Sequence, residues 1–202
     1  RALGGAVDGV EFPLPSVDAE KASLSGRFAA DGMTGPYIAV VPGARWDVKE
    51  WPVPYWQEFL RRVVQGGMNV VLLGSGDDVP KGRAIAEGVA SPRLFDYTGK
   101  TSLRELMAAI GMSRLYISAD TGPLHIANAL KKELIALFGP TCPDRTGPYG
   151  GARSEYIHMI ISPTSAATQE QPLVDDPDCM KQISVDRVWE TYTDIVKEAD
   201  ND

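Results

Sequence analysis

Six short β-favouring runs recur along the chain: YIAVVP (37–42), MNVVLLG (68–74), RLFDYT (93–98), RLYIS (114–118), ELIALFG (133–139) and EYIHMIIS (155–162). Most are continuously apolar rather than alternating, as expected of strands covered on both faces. Helical patterns separate the first five. Trp56, Phe59, Leu60, Val63 and Val64 make one stripe, and Gly66-Gly67 supplies its stop. A weaker helix is expected over 80–90. Ser102 and Glu105 form a capping box for the next, in which Leu103, Leu106, Met107 and Ile110 share a face. A fourth starts at Pro123 and ends near Leu130. Strands joined by helices mean βαβ units, right-handed crossovers and a parallel sheet, so the fold class is α/β with helices on both faces. The spacing predicts a Rossmann-like strand order, 3-2-1-4-5-6. In that order the sheet reverses direction between strands 1 and 4, and the loops leaving their carboxyl ends splay apart into a crevice. Those loops are 42–52 and 119–125.

The ends are less regular. Residues 16–31 read as an entry linker with a weakly amphipathic helix. Residues 163–182 are polar and long for a loop in a compact domain, which suits a segment that covers a site or meets a partner. The last element, 185–199, places Val188, Trp189, Tyr192, Ile195 and Val196 on one side. A chain of 202 residues fits one domain, or one with an appendage. The chain opens on Arg1 rather than Met, as a piece of a longer protein would.

The stretch ISADTGPLHIANAL (117–130) turns from strand to helix on a carboxylate, a hydroxyl and a glycine. Pro123 fits the first helical turn, where its missing N–H costs nothing. Thr121 and Gly122 then stand where unpaired amides and the positive dipole end face outward, a socket for phosphate. Asp120 is expected to organise the turn, by capping the helix or bonding loop amides, since a carboxylate aimed at phosphate would repel it. A plain capped helix explains this stretch equally well. The other loop tilts the reading. GARWDVKEWP is long for a βα connection and brings Arg45 and Lys49 to the same crevice, where a lysine ammonium suits a diphosphate. Trp51 and Pro52 are expected to pack on the sheet and start the helix.

Other features carry less. TGKTS (98–102) looks like the end of a P-loop, but the required earlier glycine falls at Leu94. The first βα turn lacks GxGxxG, which argues against a nicotinamide or flavin dehydrogenase. In GSGDD (74–78), Asp77 or Asp78 is placed to accept from ribose hydroxyls, and a plain Asp-rich turn is the competing account. His125 lies one turn into the helix, within reach of a ligand, although a lone histidine is more often a packed one. His158 sits in a strand and reads as structural. Gly139, Thr141 and Gly147 follow strand 5; turn chemistry explains most of this segment, and Thr141 is placed to donate to a ligand.

A net charge of −7 disfavours nucleic acid as a partner, while a small anion requires local donors. Cys142 and Cys179 are too few for a disulfide framework or a structural zinc and read as reduced thiols of a cytoplasmic protein. No run is long enough for a membrane span, and no signal-peptide pattern opens the chain.

PGARWDVKEWPVPYWQEF, LLGSGDD, TGKTSLREL, SADTGPLHIANAL and ALFGPTCPDRTGPYG, in that order and spacing, resemble glycosyltransferase family 9, the ADP-heptose:lipopolysaccharide heptosyltransferases. CMKQISVDRVWE is similar to the family's tail. The resemblance covers residues 37–150 well and 179–190 moderately. It implies one half of a GT-B enzyme: residues 35–202 as the nucleotide-sugar domain, and residues 1–34 as a linker or remnant of a missing N-terminal domain. It also implies that Lys49 and the Asp120-Thr121-Gly122 turn hold the diphosphate. Asp78 would approach the ribose, where the family usually shows Glu, and residues 99–103, with Gly99, Lys100 and Thr101, would line the adenine pocket.

The implied reaction is an inverting transfer of heptose from ADP-heptose to the lipopolysaccharide core, with the base and much of the acceptor site in the N-terminal domain. The chain alone would then bind donor and turn over nothing. No cofactor or metal is called for. Placement is cytoplasmic, and contact with the inner face of the inner membrane belongs only to the full protein. Two other readings stay open: a noncatalytic nucleotide-binding module, and a GT-B epimerase acting on a UDP-sugar.

Overall fold

The structure, a computed structural model, describes residues 10–165, 168, 170, 171 and 176–201. Strands β1 (Tyr37–Val41), β2 (Asn69–Leu72), β3 (Leu94–Asp96), β4 (Leu115–Ala119), β5 (Leu134–Phe138) and β6 (Ile157–Ile161) form one sheet in the order β3-β2-β1-β4-β5-β6. All five pairings are parallel, with Tyr37 opposite Asn69 on one side of β1 and Ile38 opposite Leu115 on the other. This is the order expected from the spacing. Every residue of β1, β2, β4 and β5 is buried, which is why their sequences are continuously apolar.

Successive side chains on each strand go to opposite faces and into separate cores. Ile38, Val40, Val70, Leu72, Ile117 and Leu137 pack with helices α2 (Val53–Gln65), α3 (Val79–Val89) and α7 (Val185–Asn201). Trp51 belongs here too: it is buried, donates its indole N–H to Ile183 O at 2.8 Å and meets Trp56 edge-on at 4.9 Å. The stripe Trp56, Phe59, Leu60, Val63 and Val64 is buried, as expected. Ala39, Val41, Val71, Tyr116, Ala136 and Phe138 point the other way, toward α1 (Asp18–Ala30), α4 (Leu103–Met112) and α5 (Gly122–Ala129). The two helix layers follow from right-handed crossovers that step outward first in one direction and then in the other.

Helix α1 is fastened to the segment that opens α4. Leu24 and Phe28 are buried, and Phe28 meets Tyr97 edge-on at 5.0 Å. Arg27 donates to Glu105 Oε1 at 2.8 Å and to Lys100 O at 3.0 Å, with its guanidinium 5.1 Å from the Tyr97 ring centre. Arg104 reaches back to Glu20 at 2.5 Å, and Tyr97 donates its hydroxyl proton to Asp31. The Ser102–Glu105 capping box is present. Its backbone hydrogen bond, assisted by Arg27, holds the Glu105 carboxyl below the usual range.

Leu103 departs from expectation. Helical spacing places it with Leu106 and Ile110, yet it is 71% exposed, at the first residue of α4. Of the polar stretch 163–182, residues 166, 167, 169 and 172–175 lie outside the described residues. The chain returns to the core at Cys179 and Met180, both buried. Cys142 and Cys179 are free thiols. His158 is half-buried on β6 and bonds Glu133 at 2.5 Å. No helix among the described residues is long and apolar enough to cross a membrane.

Ile117 is fully buried in β4, at the sheet's centre. Ile117→Ala should cost about 2–5 kcal/mol, against about 0.5 kcal/mol for Ile161→Ala at the partly exposed sheet edge, measured by urea unfolding. Tyr97 gives a second expectation. Burial, then the bond to Asp31, pushes its phenol from 10 up to about 12. The folded state therefore holds this proton more tightly than the unfolded chain does. Its contribution to stability is complete below pH 10 and is lost as pH rises toward about 12. Unfolding midpoints across that window should fall less steeply in Tyr97→Phe.

Candidate functional site

The reversal between β1 and β4 opens a crevice of about 920 Å³ at the carboxyl edge of the sheet. One wall is the loop after β1, where residues Asp47–Lys49 make a single 3-10 turn. The opposite wall is the turn into α5. Lys49 Nζ crosses between them and donates to Asp120 Oδ2 at 2.7 Å. Both side chains are largely buried, at 12% and 7% exposure. The ammonium also lies 4.7 Å from the centre of the Trp46 ring, a cation–π contact that holds it in the crevice. Thr146, at the end of the four-residue helix α6 (Pro143–Thr146), donates to the same Asp120 oxygen at 3.0 Å.

Asp120 thus organises the turn by a route other than the expected ones. It neither caps α5 nor bonds loop amides; the N-cap is Thr121, in extended conformation and without a side-chain cap bond. The carboxylate is turned toward Lys49 and Thr146 instead. Pro123 has no N–H and Leu124 N donates to Thr121 O at 3.2 Å, so Gly122 N is the first-turn amide of α5 left to face the crevice. Gly122 is exposed there, and a Cβ added to it would meet no atom within 4 Å. Pro123 occupies the first turn of the helix, as the sequence leads one to expect. Thr121, Gly122, Pro123 and His125 all line the crevice, as do Arg45 and Lys49. Arg45 and His125 are exposed and make no hydrogen bond or ion pair with the described residues.

The floor under β2 is held by Asp78. Its Oδ2 accepts from Ser75 N at 2.7 Å and from Ser75 Oγ at 2.8 Å. Its carboxylate lies where side chains on Gly43 and Gly74 would be, the Gly43 Cβ position being 1.7 Å from Oδ1. These glycines admit Asp78 rather than a ligand. Asp78 and Asp77 both line the crevice; one carboxylate oxygen of Asp78 is committed to the loop itself, and Asp77 is exposed.

Three expectations are corrected. Thr141 is 3% exposed, its hydroxyl buried and unbonded, and it does not line the crevice. Thr146 is the threonine of that segment that does. Gly99 and Lys100 shape the loop before α4 but form no part of the wall. Gly99 takes the left-handed φ of +67° that favours glycine, and Lys100 Nζ donates to Asp96 O at 2.6 Å. Thr101, Ser102 and Leu103 are the residues of this loop that face the crevice.

Two contributors carry no signal of their own in the sequence. Glu50 accepts from Ala44 N at 3.0 Å and pairs with Lys81 of α3, tying the loop after β1 to the next helix. Each is an ordinary charged residue until the fold brings them together. Among the described residues no group of three or more His, Cys, Asp or Glu side chains is placed to hold a metal ion.

Comparison with known proteins agrees with this architecture. The family model described as glycosyltransferase family 9 (heptosyltransferase) matches residues 4–173. Lipopolysaccharide heptosyltransferase 1 of Pseudomonas aeruginosa is 32% identical over 152 residues, 74% of this chain and 41% of that protein. Lipopolysaccharide heptosyltransferase 2 of Salmonella typhimurium is 32% identical over 117 residues, 56% of this chain and 34% of that one. This chain therefore spans less than half the length of either relative.

In three dimensions, E. coli ADP-heptose lipopolysaccharide heptosyltransferase II superposes with a TM-score of 0.74 at 24% identity, over 94% of this chain and 54% of that one. A family 9 glycosyltransferase of Veillonella parvula gives 0.76 at 19% identity, over 96% and 55%. The fold is that of one half of these GT-B proteins. With a family model matched over most of its length, and a doubly wound sheet shared with solved members, the chain belongs to glycosyltransferase family 9.

Proposed function

We propose that this chain is the donor-binding half of an inverting glycosyltransferase that moves heptose from ADP-heptose to the lipopolysaccharide inner core. One observation carries the reading. Lys49, held by Asp120, and the exposed Gly122 N–H at the positive end of α5 converge on the crevice at the switch point of the sheet. This is the donor set that a diphosphate needs, assembled in a protein whose net charge is −7. The exposed apolar face of Leu103, beside Thr101 and Ser102, suits an adenine ring, and the Asp77–Asp78 edge suits the ribose hydroxyls. An E. coli heptosyltransferase solved with ADP shares the fold at a TM-score of 0.63.

In the transfer, an acceptor hydroxyl attacks the anomeric carbon of the donor while the bond from that carbon to the diphosphate oxygen breaks. The Gly122 N–H, the positive end of the α5 dipole and Lys49 stabilise the charge that collects on the departing ADP, a contribution present most fully in the transition state. The proton of the attacking hydroxyl goes to a carboxylate base on the N-terminal domain. Residues 35–202 constitute the donor domain, and residues 1–34 connect it to that domain. The full enzyme works in the cytoplasm, at the inner face of the inner membrane.

By calorimetry the chain should bind ADP with a Kd between about 1 μM and 1 mM and should prefer it to UDP and GDP. It should catalyse no transfer alone, and turnover of ADP-heptose onto a core acceptor by these residues would refute the division of labour. Gly122→Val is the sharpest probe, because the added side chain enters open space. Unfolding free energy should stay within about 0.5 kcal/mol of wild type while ADP affinity falls about tenfold, or about 1.4 kcal/mol. Lys49→Met should weaken ADP at least as much and also lower stability, since it leaves Asp120 buried without its cation. Unchanged ADP affinity in Gly122→Val would overturn the socket.

A further inference from the structure

Lys49 Nζ and Thr146 Oγ1 both end on one atom, Asp120 Oδ2, at 2.7 and 3.0 Å. They reach it from different walls of the crevice. Lys49 is carried by the loop after β1, Asp120 follows β4, and Thr146 closes α6 in the loop after β5. The clasp is therefore a junction of three loops, and Thr146 is its uncharged member.

Where the Thr146 proton goes is decided locally. Its Oγ1 lies 3.2 Å from Cys142 O, four residues back, the bond a helical threonine makes by default. That carbonyl already accepts from Arg145 N at 3.1 Å and from Thr146 N at 3.0 Å. The Asp120 carboxylate is charged, 7% exposed, and among the described residues accepts otherwise only from Lys49. The single hydroxyl proton therefore belongs to the carboxylate, where the bond is charge-assisted. The turn that presents it is fixed as well. Gly147 N donates to Pro143 O at 2.8 Å, and a Cβ on Gly147 would fall 2.3 Å from that oxygen, so a glycine is needed for α6 to close.

A carboxylate held by one donor swings about its Cβ–Cγ bond, a broad torsion. A second donor on the same oxygen, arriving from another wall, stops the swing. The ammonium has three N–H groups and uses one on Asp120, which leaves two for a ligand. Their direction depends on where the carboxylate stands. We propose that Thr146 is a positioning residue of the diphosphate site: by pinning the Asp120 carboxylate it keeps Lys49 Nζ aimed into the crevice and the negative charge turned away from the phosphates. The consequence for nucleotide rests on the donor-binding reading above; the pinning itself does not.

Two measurements on the 202-residue chain test this. In the first, without nucleotide, acetic anhydride labels the lysines and mass spectrometry gives the rate at each. Lys49 should react about threefold faster in Thr146→Val than in wild type, while Lys81, paired with Glu50 in the same crevice, keeps its rate. Thr146→Ser, which retains the hydroxyl, should behave as wild type. In the second, ADP is titrated calorimetrically into wild type, Thr146→Val, Asp120→Asn and the double variant. Thr146→Val should weaken ADP about fivefold in the wild-type background and less than about 1.5-fold where Asp120 is already Asn. An unchanged Lys49 rate would overturn the proposal, and so would faster labelling of Lys49 and Lys81 alike, which marks a general loosening. Equal losses of ADP affinity in both backgrounds would also overturn it, since Thr146 would then touch the ligand directly. Failure of wild type to bind ADP would sink the donor reading instead. In that case, or where Asp120→Asn binds too weakly to compare, the Lys49 rate and its recovery in Thr146→Ser decide the role of Thr146.

Discussion

Parallel strands cannot be joined by tight turns, and this one constraint organises the molecule. Each connection must cross a face of the sheet and return, so both faces are covered and all connections leave from the same edge. At the carboxyl edge those connections stay together except where the order reverses, between β1 and β4. The crevice there is a by-product of topology, and the sequence has furnished it. Lys49 and Asp120 clasp across the gap, Asp78 sits where Gly43 and Gly74 leave room, and Glu50 ties its loop to Lys81.

The sheet is legible in the amino-acid sequence because burial on both faces writes itself as unbroken apolar runs, and the strand order follows from the alternation of those runs with helical stripes. The observed β3 covers three residues of the expected six, since Tyr97 and Thr98 turn away toward α1 and Asp96. Lys49 is legible as a cation on a long loop at the switch point. Its clasp with Asp120 is not, because the two residues are 71 positions apart and no periodicity links them.

Threonine placement shows the limit at finer scale. Thr141 and Thr146 belong to the same turn-rich segment, and which one faces the crevice depends on where the four-residue helix begins. Leu103 shows the reverse failure. Its helical phase is right for the core, but it is the first residue of the helix and lines the crevice, exposed. Periodicity reports which face a residue shares; it does not report whether anything lies under that face.

The clasp has a bearing on how the molecule assembles. Lys49 follows β1 and Asp120 follows β4, so the pair cannot form until two intervening strands and their helices have been laid down and β4 has docked against β1. Pairings this remote in sequence are among the slowest to form. The recess beside them is therefore absent from any species that has only its first half folded. A nascent chain released early would present a lysine without its carboxylate, and the finished clasp reports that β4 has joined β1 at the sheet's centre.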